Sequence, residues 1–143
     1  MENQVMRKHI LTLGIFRLKD NWVFATPGEF APGFQKPVEP VHVLPARDTE
    51  KMFPIIFSWA DGECPKTTPP EKNAVAPHAL KMGYSDYRAF QKASYEWTIR
   101  FKPDSPTLVR LFEKTKKQPV LERECNSYQE IREVLLSWTT YKF

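Results

Sequence analysis

An α+β fold follows from three features of the sequence: an antiparallel or mixed sheet of about five to six strands, with two to three helices packed mainly on one face. Short runs of apolar residues alternate with polar ones early in the chain. Helix-start signals, by contrast, gather in its second half. The length of 143 residues sits at the usual size of one domain, so a single core over residues 1–143 is expected.

Residues 9–18 and 21–26 read as a β-hairpin, since Val, Ile, Phe and Leu flank the turn formers Lys19, Asp20 and Asn21. Residues 27–40 carry four prolines and two glycines, a composition that predicts a flexible proline-rich loop rather than a helix or a central strand. Phe30 and Phe34 lie inside it and would be costly to leave exposed. The loop is therefore expected to pack them on the domain or offer them to a partner. Residues 41–44 and 53–59 are the next strand candidates. The second, FPIIFSW, is dense in aromatic and β-branched residues and predicts a strand buried on both faces. Residues 61–73 contain three prolines and no large apolar side chain, which predicts a second flexible proline-rich loop.

Ser85 and Asp86 suit the start of a short helix over 86–93. Tyr95, Trp97, Ile99 and Phe101 then alternate with Glu96, Thr98, Arg100 and Lys102, which predicts a strand over 95–102. One continuous helix is the alternative, because Phe90, Ala93, Trp97 and Phe101 also fall at helical steps. Ser105 before Pro106 reads as a helix start. Leu108, Leu111, Phe112 and Thr115 would line one face of a helix over 106–117, with Lys114, Lys116 and Lys117 in its last turn. A short strand over 120–124 follows. Ser127 and Glu130 then form a capping box for a last helix with Ile131, Val134, Leu135 and Trp138 on its buried side. The predicted order is thus β-β-loop-β-β-loop-α-β-α-β-α.

Composition narrows the class without naming a function. Ten Phe, five Tyr and four Trp supply core material and argue against disorder. No run approaches the ~20 apolar residues of a membrane helix, and the polar residues 1–8 do not open a signal peptide. Cys64 and Cys125 stand far apart, so they read as reduced structural thiols of a cytoplasmic protein. The net charge of +4 is uneven: residues 81–117 hold nine Lys and Arg against four acids, for +5. Such a concentration suits an acidic or polyanionic partner, although solvated helix faces produce the same count.

The motifs for cofactors are absent. There is no P-loop, no G-x-G-x-x-G and no G-x-S-x-G, and no cofactor or metal is predicted. His9, His42 and His78 are the only histidines, and none has another ligand type at helical spacing. Cys64 follows the neighbouring acids Asp61 and Glu63, which would raise its pKa and so oppose thiolate chemistry. The aromatics of 95–101 could serve as a stacking platform for single-stranded RNA, but helices must cover some face and a core role suits them better. Asp104, with Glu122 and Glu124 on a strand eighteen residues later, loosely resembles the core motif of metal-dependent restriction-type nucleases. That resemblance implies divalent-metal binding by these three carboxylates. Here the usual Lys is missing and a predicted helix intervenes. As charges on a sheet edge, Glu122 and Glu124 would also guard against aggregation.

The sequence thus favours a small intracellular protein-binding domain of inhibitor, immunity or accessory-subunit type. Its contacts would be Phe30, Phe34, Arg88, Lys92, Arg100, Lys102, Lys114, Lys116 and Lys117. The first alternative is nucleic-acid binding through the basic 81–117 region, and the second is a metal-dependent nuclease or other hydrolase using Asp104, Glu122 and Glu124.

Overall fold

The structure, a computed structural model, describes residues 9–114 and 117–138. Residues 1–8, Thr115 and Lys116 lie outside the described residues. Six antiparallel strands form one sheet in the order β3-β2-β1-β4-β5-β6. They are β1 (Leu11–Arg17), β2 (Asn21–Ala31), β3 (Phe34–Pro45), β4 (Tyr95–Phe101), β5 (Thr107–Glu113) and β6 (Leu121–Cys125). Four helices complete the α+β fold: α1 (Met52–Asp61), α2 (Pro77–Lys81), α3 (Tyr87–Lys92) and α4 (Tyr128–Trp138). None of them is long and apolar enough to cross a membrane.

The two longer helices share one face of the sheet. Leu11, Leu13 and Ile15 of β1, Trp22 and Phe24 of β2, Trp97, Ile99 and Phe101 of β4, and Val109 and Leu111 of β5 are buried there. Above them lie Met52, Phe53 and Ile56 of α1 and Ile131, Val134 and Leu135 of α4. The strict alternation of 95–101 is thereby explained as a core stripe. A shorter cover lies on the opposite face, where Ala79 of α2 and Phe90 of α3 pack on Phe16, Leu18 and Val23.

Three expected elements are corrected. Residues 53–59 are helical, not a strand: Met52, Phe53, Ile56 and Ala60 are buried at helical spacing, and that period outweighs β-branched content. Pro54 falls in the first turn, where a missing N–H costs nothing. Among the described residues, the helix expected over 106–117 does not form. Thr107–Glu113 is a strand between β4 and β6, with Val109, Leu111 and Glu113 buried and Leu108, Arg110 and Phe112 on the other side. Asp104, with φ of 55°, sits in the turn that folds β4 back into β5. Lys114 and Lys117 therefore do not end a helix.

Residues 27–40 are the third correction. They are not a loop but most of a long hairpin in which β2 and β3 pair up to Ala31 and Phe34. The backbone N–H of Glu29 donates to Pro65 O at 2.8 Å, away from β3. Pro27 stands two residues earlier and directly opposite Pro37, so both prolines occupy positions whose N–H would point out of the pair. Neither removes a ladder bond. Prolines 37, 40 and 45 also blunt β3 as a sheet edge, while exposed Glu122, Arg123 and Glu124 guard β6 at the other edge.

Other local readings hold. The β1–β2 hairpin, the strand at 41–44 within β3, the split of 86–102 into α3 and β4, and β6 all form. Asp86 caps α3 by accepting from Arg88 N at 3.1 Å. Ser127 Oγ accepts from Glu130 N at 3.2 Å, and Glu130 Oε1 accepts from Asn126 N at 2.6 Å, completing the cap of α4. Cys64 and Cys125 are buried and in no disulfide, and burial pushes the Cys125 thiol up to about 11.

Candidate functional site

The site arises where the sheet divides. β1 pairs with β4 along its whole length, from Leu11 opposite Phe101 to Arg17 opposite Tyr95. With β2 it shares only the register pairs Phe16–Val23 and Arg17–Trp22. Beyond them the β2–β3 hairpin leaves the sheet as an arm. Gln35 bridges the gap, its side chain accepting from Thr12 N at 3.1 Å and donating to Ile10 O at 2.9 Å.

The second proline-rich segment fills the edge of β2 that β1 leaves. Beyond Asp61, which ends α1, residues 62–73 form neither a helix nor a named strand, and they are strapped to the hairpin. Thr67 N donates to Glu29 O at 3.0 Å, Lys66 Nζ pairs with Glu29 Oε1 at 3.0 Å, and Lys36 Nζ donates to Pro69 O at 3.4 Å. Gly28 makes this approach feasible: a Cβ there would stand 2.8 Å from Val38 Cγ1 and 2.9 Å from Thr67 Cγ2. The segments that the sequence singles out separately thus converge. Between them runs a groove of about 560 Å³, walled by Pro37, Val38, Thr67, Pro70, Ala74, Val75 and Pro77, with Lys36 and Glu71 as its charged members.

His78 and Tyr87 line the inner end of the groove and also a second, smaller cleft of about 180 Å³. This cleft lies on the sheet face under α2 and α3, between Gly14 and Phe16 of β1, Pro27 of β2, Gln35 of β3 and Glu96 of β4. His78 is 5% exposed and stacks on Phe16 with ring centroids 4.7 Å apart. Its Nε2 lies 3.3 Å from Tyr87 Oη, whereas its buried Nδ1 has no hydrogen-bond partner. Burial pulls the His78 pKa down to about 4, so the ring is neutral at pH 7. Burial also pushes the Glu96 carboxyl up to about 7. The Tyr87 phenol is raised first by burial and then by the nearby charge of Glu96. Three polar groups with displaced pKa values in one cleft form a candidate site on physical grounds.

The predicted contact residues are distributed differently. Phe30 and Phe34 meet at the tip of the β2–β3 arm with ring centroids 6.2 Å apart, and Phe34 is 61% exposed. Arg88 and Lys92 are exposed on α3. Lys114 lies over the Tyr95 ring at 5.8 Å, at the end of the sheet where β4 begins, and Lys117 follows in the β5–β6 connection. Exposed Arg100 and half-buried Lys102 are at the far end of β4, about 20 Å away by strand rise. The register therefore divides the basic residues between two ends of the sheet. Lys116 lies outside the described residues.

The carboxylates read as nuclease-like are not brought together as that motif requires. β5 lies between β4 and β6, and Glu122 is paired with Arg110 Nε across the β5–β6 ladder. Among the described residues, no group of three His, Cys, Asp or Glu is placed to hold a metal ion. His9 is exposed, and His42 is packed between Phe24 and Trp59 on the other face of the sheet.

Tyr87 and Glu96 were not legible as site residues. In sequence Glu96 is one polar position of an alternating strand, and nothing local shows that α3 will cover it. Gly14 was the available signal. A lone glycine inside a strand marks a close approach, and here a Cβ would stand 3.1 Å from Glu96 Oε2.

Comparison with protein-family models and with curated proteins finds no match. Among solved structures, the chain is similar to a Neisseria meningitidis protein titled as one of unknown function. The TM-score is 0.56 at 15% identity, over 91% of this chain and 93% of that one. At that identity the likeness shows a shared fold across nearly the whole domain.

Proposed function

We propose that the chain is a binding protein that holds an extended segment of a partner protein in the groove between its two proline-rich segments, with Phe34 as a second contact at the hairpin tip. The observation that carries this reading is the convergence of residues 27–40 and 61–73 on one surface. Pro, Val and Ala walls suit the side chains of an extended peptide, and a preformed groove lowers the entropy cost of holding it. Exposed Phe34, resting on Phe30, has the character of an aromatic anchor at an interface. The two buried cysteines, in no disulfide, are consistent with a reducing, cytoplasmic setting.

Affinity capture from the source cells tests the reading when three forms are run in parallel: wild type, Phe34→Ser and Val38→Glu. A partner retained by wild type and depleted by both variants is the expected result. A partner bound equally by all three would overturn the groove, and so would the absence of any partner.

A further inference from the structure

The cleft beneath α2 and α3 contains a half-buried carboxylate with no cation beside it. The Glu96 carboxylate has neither a hydrogen-bond nor an ion-pair partner among the described residues, although it is partly withdrawn from water. The groups around it are Tyr87 from α3, His78 from α2, Gly14 from β1 and Lys36 from β3. None supplies the missing positive charge. His78 is neutral, Tyr87 is held as the phenol, and the Lys36 ammonium is turned to Pro69 O. A carboxylate partly removed from water without a cation is costly, and proteins ordinarily pair such a group. Gly14 stands beside its oxygen, and any other side chain there would crowd the carboxylate, with a Cβ 3.1 Å from Glu96 Oε2. Phe16 and Tyr87 add ring surfaces of the kind that favour a cation.

We infer that this cleft is a binding site for an alkylammonium group, taken up by the Glu96 carboxylate with the Tyr87 hydroxyl as a second acceptor. The volume of about 180 Å³ accommodates a short aliphatic chain behind the ammonium head. Such a group occurs in a free small amine and in the side chain of a lysine on a bound protein. The inference stands on the cleft alone and does not depend on the partner groove.

Backbone-amide NMR of the whole chain provides the test, titrating n-butylammonium and, separately, Nα-acetyl-lysine amide. Saturable shifts at Gly14, Tyr87 and Glu96 are expected with n-butylammonium, and the Glu96 carboxyl should then titrate below its free value of about 7. n-Butanol and butyrate should produce neither effect. Glu96→Gln should weaken the ammonium by about tenfold or more, the range for a hydrogen bond to a charged group. Gly14→Ala, which leaves the carboxylate in place but crowds it, should weaken it as well. If the lysine derivative binds too, the source includes protein side chains; if only n-butylammonium binds, it is a free amine. Failure of both ammonium compounds, equal binding of n-butanol, or undiminished binding by Glu96→Gln would overturn the site.

Discussion

The two faces of the sheet are built on opposite principles. Under α1 and α4 the buried side chains are mostly apolar, with Trp22 and Trp97 in contact at 5.1 Å between ring centroids and the Trp22 Nε1 donating to Ala46 O and Thr49 Oγ1. Under α2 and α3 the cover is short, and it encloses His78, Tyr87 and Glu96 together with a cleft. The first face supplies the stability that allows the second to keep polar groups in poorly solvated positions. The shifts of His78, Tyr87 and Glu96 therefore fall together on the second face, where the sheet also divides.

Breaking the first face should have the largest effect. Trp97→Ala removes a fully buried side chain from the centre of the core and should cost about 3–5 kcal/mol. Chemical denaturation would measure it as a lower midpoint at unchanged slope. A loss below 1 kcal/mol would mean that the core is not centred on β4.

The second face should respond to pH instead. Glu96 titrates near 7 when folded and near 4.5 as a free side chain, so over that interval the folded state holds a proton that the unfolded state lacks. Its contribution to stability is complete below pH 4.5 and is lost as pH rises toward 7. His78 behaves oppositely. It titrates near 4 when folded against 6.5 when free, so its contribution is present above 6.5 and is lost as pH falls toward 4. The two slopes oppose each other between pH 4.5 and 6.5, and the wild type should be nearly flat there. Glu96→Gln should leave stability rising with pH across that window, by on the order of 2–3 kcal/mol. His78→Phe should leave it falling by a similar amount. Parallel slopes in the two variants would contradict the burial of both groups.

How legible each face was in the sequence follows from the same contrast. The first face obeys local periods: the alternation of Trp97, Ile99 and Phe101 and the capping box of Ser127 and Glu130 both pointed to their elements. Two segments carried conflicting local signals, and tertiary context decided them. FPIIFSW has strand composition but helical spacing of Met52, Phe53, Ile56 and Ala60. TLVRLFE follows a Ser-Pro helix start, yet it is held between two strands. The second face depends on contacts distant in sequence. Glu96 is covered by Tyr87 and faces Gly14, and the hairpin prolines are tolerated because Pro27 and Pro37 stand opposite each other with their N–H positions turned out of the pair. Composition marked 27–40 and 61–73 as unusual, but it could not show that they meet. The nine Lys and Arg of 81–117 looked like one basic region along the chain, and the strand register then put Arg100 and Lys102 at one end of the sheet and Lys114 at the other.

A smaller effect should distinguish the strap from the arm it holds. Gly28→Val would force its Cβ against Val38 and Thr67, so it should cost about 1–3 kcal/mol and loosen residues 65–67 from Glu29. Hydrogen exchange at Glu29 and Thr67 would report that loosening directly. Faster exchange confined to those amides would show that the groove wall is a separate unit from the core. Uniform acceleration would show that the arm and the core unfold together.

The smallest change in stability belongs to the residue most exposed to a partner. Phe34 is 61% exposed at the hairpin tip and touches the rest of the fold mainly through Phe30, so Phe34→Ser should change stability by no more than about 0.5 kcal/mol. Its effect on binding should be far larger, because truncating an aromatic anchor typically costs 2 kcal/mol or more, about thirtyfold in affinity. Phe30→Ser separates the two roles: it removes the half-buried support and should lower both stability and binding. If Phe34→Ser is silent in both measurements, the exposed ring is an ordinary surface residue and the contact lies in the groove alone. If it destabilises the fold as much as Phe30→Ser does, the tip is part of the domain's packing and not a surface held out for a partner.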